Sequence, residues 1–157
     1  KKNELLGLFV FDIVRFKEIN EQMGFRGGDT YLQELSKTLK EEIPENGTLF
    51  RLDSDVFGVL LENLENPDSA VKFAHRIAQC VGSNVAIGSH TWVREIHGGL
   101  AFFPVDGGSF EQLFNSAEIA QDQARQQGPG KILQFSEEMV REKLAREDAE
   151  KDRCPYV

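Results

Sequence analysis

The chain has 157 residues, 40% of them hydrophobic and 28% charged, a balance that fits one globular domain able to bury a core without disulfides or a structural metal. Its formal net charge of −8 argues against a general nucleic-acid or membrane-surface binder, because both partners are polyanions that select cationic patches. No apolar stretch approaches the roughly 20 residues needed to span a bilayer and no targeting segment is visible, so no direct membrane insertion by this segment and a cytoplasmic location are expected.

The first predicted element is Leu5-Leu6-Gly7-Leu8-Phe9-Val10-Phe11, a continuous apolar run ending at Asp12 and suited to a strand buried on both faces. A short helix is expected over residues 16–23, closed by Gly24, with Gly27-Gly28 opening a turn. A second helix over residues 29–43 places Tyr31, Leu32, Leu35, Leu39 and Ile43 on one face, and Pro44 with Asn46-Gly47 stops it. Residues 49–61 then read as a hairpin whose two β-prone arms flank the polar tip Asp53-Ser54-Asp55.

Asn66-Pro67-Asp68-Ser69 starts a helix that buries Val71, Ala74, Ile77, Ala78 and Val81. Between Asn84 and Phe103 the short alternating pieces around Gly88 and Gly98-Gly99 suggest a further hairpin whose second arm is 96–103. A loop at Pro104-Val105-Asp106-Gly107-Gly108 leads into a helix over 109–127 with Phe110, Leu113, Phe114, Ala117, Ala120 and Ala124 inward. A last strand is expected at 131–135. From Ser136 onward the pattern is charged, with Met139, Val140 and Leu144 as a thin apolar stripe. The order of elements is that of an α/β sandwich with a largely antiparallel sheet.

Several polar residues stand where chemistry or plain structure would explain them. Asp12 can cap a strand end, Asn20 can form a turn, Asp29 can cap a helix, and Lys17 can be a solvated charge. His75 and His90 read as surface residues and Trp92 as packing. His97, on a core strand, carries no catalytic mark. Cys80 and Cys154 lack the spacing and the histidine neighbours of a zinc site, and read as incidental thiols of a reduced chain, Cys80 within the core.

Three segments, residues 11–20, 24–29 and the hairpin tip, resemble in combination the GGDEF family, the diguanylate cyclase domains. The spacing from Asp12 to Asn20, Asp29 and Asp53 matches that family without a gap, and similarity runs on through 99–104 and 117–120 to Phe135. The resemblance implies a palm-like fold, a central five-stranded, mainly antiparallel sheet flanked by helices, here with an extra short hairpin and a C-terminal linker helix. It also implies an activity, the condensation of two GTP molecules into cyclic di-GMP, with Mg2+ or Mn2+ offsetting triphosphate charge and promoting in-line attack.

By that resemblance Asp12, the Ile13 backbone carbonyl and Asp55 would be metal ligands, with Asp55 the surviving catalytic position. Asn20 and Asp29 would read the guanine edge, while Lys17 and Arg125 would face phosphate. The signature itself departs from Gly-Gly-Asp-Glu-Phe: it reads Asp53-Ser54-Asp55-Val56-Phe57. The lost glycines close off backbone approach to the phosphates. Asp53 sets a negative charge beside a polyanion, a repulsion of about 4 kcal/mol at about 4 Å and an effective dielectric near 20. Val56 removes a carboxylate.

Val14 stands where a further acid is usual, Phe25 where a histidine is common, and Pro129 where a second basic residue is expected. Pro44-Glu45-Asn46-Gly47 occupies the place of the product-inhibition motif. The expectation is a catalytically degenerate domain at residues 1–135, regulatory, GTP-sensing or interacting. Residues 136–157 would link it to a following EAL-like phosphodiesterase domain of a longer chain. An active cyclase and a nucleotide-free scaffold, with a homodimer in either case, are the alternatives.

Overall fold

The computed structural model describes residues 5–52, 55–81, 84–87, 90–93, 95–128 and 130–153. Asp53, Ser54, Gly88, Pro129 and Cys154 lie outside the described residues, as do the side chains of Phe25, His90 and Trp92. The apolar run near the N-terminus becomes β1 (Leu6–Ile13), and it lies in the middle of a five-stranded sheet. Its neighbours are β3 (Val56–Leu61) and β6 (Ile96–Phe103), both antiparallel to it. The sheet is completed by β2 (Gly47–Arg51) beyond β3 and by the short β7 (Ile132–Gln134), parallel to β6. A strand walled in on both edges and covered on both faces is apolar along nearly its whole length, which is why β1 shows no alternation and why Asp12 near its end stands out.

Side-chain alternation along β1 divides the interior in two. Phe9, Phe11 and Ile13 pack toward α1 (Phe16–Glu42) and α2 (Pro67–Val81), in a cluster with Leu35, Leu39, Phe57, Ala74 and Ile77. The rings of Phe9, Phe11 and Phe57 stack in series, with centroids 5.0 and 5.7 Å apart. Leu8 and Val10 face the other way, onto Leu113 and Ala117 of α3 (Phe110–Gln127). A slip of one residue in the β1 register would exchange these two faces, so the two cores together fix the pairing.

The expected pair of helices after β1 is one element with a break. Only Gly24, at φ 74° and ψ 174°, leaves helical geometry, and the helix resumes at residue 25 rather than at 29. Gly27-Gly28 is therefore helical, and Asp29 is an interior helical residue, not an N-cap. The second correction concerns β6. The small hairpin is β4 (Asn84–Ile87) with β5 (His90–Val93), a separate two-stranded sheet, whereas 96–103 is a central strand of the main sheet. A third is Phe110, which is 54% exposed and leans on Phe114 and Phe50 rather than entering the core.

The last helix, α4 (Glu137–Arg153), contacts α3 through polar groups. Arg146 donates to Asp122 Oδ2 at 3.1 Å and to Gln123 Oε1 at 2.9 Å, and Gln123 donates to Glu142. Met139 and Val140 are half-buried and Leu144 is 54% exposed, in keeping with a helix that has little to bury. No helix of the described residues is long and apolar enough to cross a membrane.

Between β6 and α3, Asp106 clasps its own turn. It accepts from Phe102 N–H through Oδ2 at 2.8 Å, and its carbonyl accepts from Ser116 Oγ at 2.6 Å. Burial pushes its carboxyl above the ordinary 3.8; repulsion from Glu137 acts the same way, and the Phe102 N–H opposes both. A raised folded-state value means that folding disfavours the ionised form. Stability is therefore lost as pH rises from 3.8 through that higher value. Asp106→Asn keeps an acceptor for Phe102 and is expected to raise the melting temperature at neutral pH. The gain over wild type should vanish below 3.8, as followed by thermal unfolding across pH.

Candidate functional site

The carboxyl end of β1 gathers most of the residues that the sequence singles out. Asp12 pairs with Val56 on one side and with His97 on the other, and the ladder extends one step further where Ile13 N–H donates to the Asp55 carbonyl at 3.4 Å. Directly opposed residues on antiparallel strands share a face, with Cβ atoms about 5 Å apart. The fourth signature position thus faces Asp12 itself. A glutamate there would set two carboxylates against each other across the strands, and Val56 leaves only one.

Asp12 is 9% exposed, and α3 delivers its partners. Leu113, Ala117 and Gln121 recur every four residues, so the row that packs on Leu8 and Val10 arrives at Asp12 with Gln121, and one turn later with Arg125. Gln121 Nε2 donates to Oδ1 at 3.2 Å. Arg125 donates to Oδ2 twice, from Nε at 3.3 Å and from a terminal nitrogen at 3.1 Å. His97 Nδ1 lies 3.6 Å from Oδ1, is buried, and makes no hydrogen bond.

This approach depends on Gly99. A Cβ there would lie 2.2 Å from the Ala117 carbonyl oxygen and 2.4 Å from the Gln121 nitrogen, so the helix backbone rests directly on β6. The sequence places Arg125 among phosphate-facing residues; in the structure its guanidinium is turned onto Asp12. Gln121 escapes sequence reasoning, although a glutamine on the buried face of a helix, 3% exposed, is itself a signal.

A second group lies on α1. The Asn20 amide oxygen packs so closely on Gly28 that a Cβ there would sit 1.7 Å away, which brings Asn20 beside the backbone neighbour of Asp29. Asp29 is exposed and accepts from Gln33 Nε2 at 3.5 Å. Lys17 is exposed in the first turn of α1, and Arg51 is exposed at the end of β2. Neither Asn20 nor Asp29 acts as the cap or turn former that a purely structural role would require; both are within the helical element.

A divalent ion at the Asp12 end would have to displace donors that the chain already places there. Mg2+ demands hard oxygen ligands in near-octahedral array. Here both Asp12 oxygens already accept N–H groups, one of them from a cation, and the facing residue is a valine. Among the described residues no group of three His, Cys, Asp or Glu is placed to hold a metal.

A five-stranded mixed sheet with helices on both faces, and a carboxylate at the end of its central strand beside a hairpin tip, define a cyclase-type palm domain. The chain matches the family model "Diguanylate cyclase, GGDEF domain" over residues 1–131, and it belongs to that family, whose domains serve cyclic di-GMP signalling proteins. It is 32% identical to the signaling protein YkoW of Bacillus subtilis over 93% of this chain and 19% of that protein. Among solved structures, the GGDEF domain of TpbB from Pseudomonas aeruginosa gives a TM-score of 0.82 at 27% identity, covering 88% of this chain and 81% of that one. An EAL/GGDEF domain protein from M. capsulatus gives 0.78 at 25% identity, covering 85% and 86%. The chain spans only 19% and 29% of the lengths of YkoW and TpbB, two curated relatives it matches.

Proposed function

We propose that this domain is a degenerate GGDEF module, with little or no cyclase activity, that regulates or docks a neighbouring domain in a cyclic di-GMP signalling protein. The observation that carries the reading is the Asp12–Val56 pair closed by Arg125: the position where two acids would face each other holds one acid, already neutralised. Residues 136–157 then serve as the connector to a following EAL-like domain. The EAL/GGDEF architecture of the M. capsulatus relative and the polar seating of α4 on α3 support that role.

GTP recognition is the function that survives most readily, because Asn20 and Asp29 keep an amide and a carboxylate complementary to a guanine edge, with Lys17 nearby in sequence for phosphate. Calorimetric titration with GTP is expected to show binding of roughly micromolar strength or weaker. Gly28→Ala should weaken it about tenfold by pushing the Asn20 amide aside. Stability should change by no more than about 1 kcal/mol, since the displaced atom ends a flexible side chain and alanine favours helix. No heat at millimolar GTP would remove the sensing role and leave a scaffold. The active-cyclase reading rests on retained Asp12 and Asp55, and turnover decides it.

A further inference from the structure

The cation position of this site is filled by the chain itself. The Arg125 guanidinium sets two N–H groups on Asp12 Oδ2, and on its other side lies 3.8 Å from Asp122, which in turn receives Arg146 of α4 at 3.1 Å. The signs alternate along Asp12, Arg125, Asp122 and Arg146, so each charge has opposite neighbours and little net field remains to draw in another cation. Asp12 has a side chain 13% exposed and receives three N–H donors on its two oxygens, so an approaching metal ion would have to displace Arg125 or Gln121 to bind it fully.

We propose that Arg125 is the resident cation of the site, standing in place of a divalent ion, so that the Asp12 end of β1 takes neither Mg2+ nor Mn2+ in the folded domain. Val56 leaves Asp12 without a carboxylate directly opposite it on β3, and the positive charge in contact with Asp12 is the Arg125 guanidinium, while Asp55 stands one residue before the start of β3. A metal ion added beside that pair would meet the guanidinium as a like charge and would have to strip N–H donors from a buried carboxylate. The inference deepens the proposed function and rests on its placing Asp12 at the family's metal position, but it concerns the ion alone and can fail while the domain remains inactive.

Mn2+ without nucleotide tests it, read as paramagnetic broadening of assigned backbone amide signals, which separates Asp12 from the many surface acids. In the wild-type domain the amides of Asp12, Ile13 and His97 should stay sharp at Mn2+ concentrations that broaden exposed acidic segments. Arg125→Gln removes the charge and should bring broadening to those amides at a metal concentration about tenfold or more lower, the effect expected from deleting one adjacent like charge. The double variant Asp12→Asn, Arg125→Gln should lose it again. Broadening centred on Asp12 in the wild type overturns the proposal, whether or not the variants fold. Sharp signals at Asp12 in a folded Arg125→Gln domain overturn it as well.

Discussion

Gly99→Ala is expected to destabilise the domain by about 3 kcal/mol, at the upper end of what overpacking a core costs. The added methyl would lie 2.2 Å from the Ala117 carbonyl oxygen, 2.4 Å from the Gln121 nitrogen and 3.0 Å from the Ala120 carbonyl carbon. All three are backbone atoms of one helix, so no rotamer change relieves the clash and α3 as a whole must retreat from β6. Retreat would open the layer of Leu8, Val10, Leu113 and Ala117 and carry Gln121 and Arg125 away from Asp12. Gly108→Ala is the control: its nearest neighbour would be Gln112 Oε1 at 3.5 Å, an ordinary contact, and its effect should stay within about 0.5 kcal/mol. Urea unfolding of the two variants measures the difference directly.

The second large effect belongs to the ion pair. Arg125→Met leaves a carboxylate that is 13% exposed with Gln121 as its remaining strong donor. Breaking a fully buried pair costs about 3 to 5 kcal/mol; the Arg125 side chain is 40% exposed and water can enter from its side, so about 2 kcal/mol is expected. Adding Asp12→Asn to that variant should recover much of the loss, because a neutral amide no longer needs a counter-charge. A double-mutant cycle in urea unfolding reads this as a coupling energy, and simple additivity of the two changes would show that the pair contributes nothing.

Most of the fold is legible in the sequence because it rests on periodicity. The apolar run of β1, the face of Tyr31, Leu32, Leu35 and Leu39, and the four-residue rhythm of α3 all return as predicted. Two of the misreadings share a cause. Gly27-Gly28 and Gly98-Gly99 look like turns, yet each glycine marks a close approach: Met23 presses on Gly27, Asn20 on Gly28, the Phe9 ring on Gly98 and the α3 backbone on Gly99. A sequence shows that a side chain is missing at such positions but not what fills the space. Phe110 is misplaced for a different reason. It is the first residue of α3, and its ring lies against the half-buried Phe50 and Phe114 while staying 54% exposed.

The candidate site is legible in its parts and not in its wiring. Asp12, Asn20, Asp29, Asp55 and Arg125 can be named from spacing against the family, and the change at Val56 is plain. That Val56 faces Asp12 follows only from strand register, and that Arg125 reaches Asp12 across 113 residues of chain follows only from how α3 lies on β6. The same wiring changes what the altered signature means. The glutamate is lost, and the basic side chain expected to face phosphate is turned onto Asp12 instead, so that the Asp12 carboxylate is paired within the chain.

The most direct test of that account is turnover. The purified domain is incubated at high concentration with GTP and either Mg2+ or Mn2+, and the products are resolved by mass spectrometry beside an Asp55→Ala variant. The expected result is no cyclic di-GMP above the level given by the variant, with either metal. Cyclic di-GMP that accumulates in the wild type and disappears with Asp55→Ala would contradict it and identify a working cyclase.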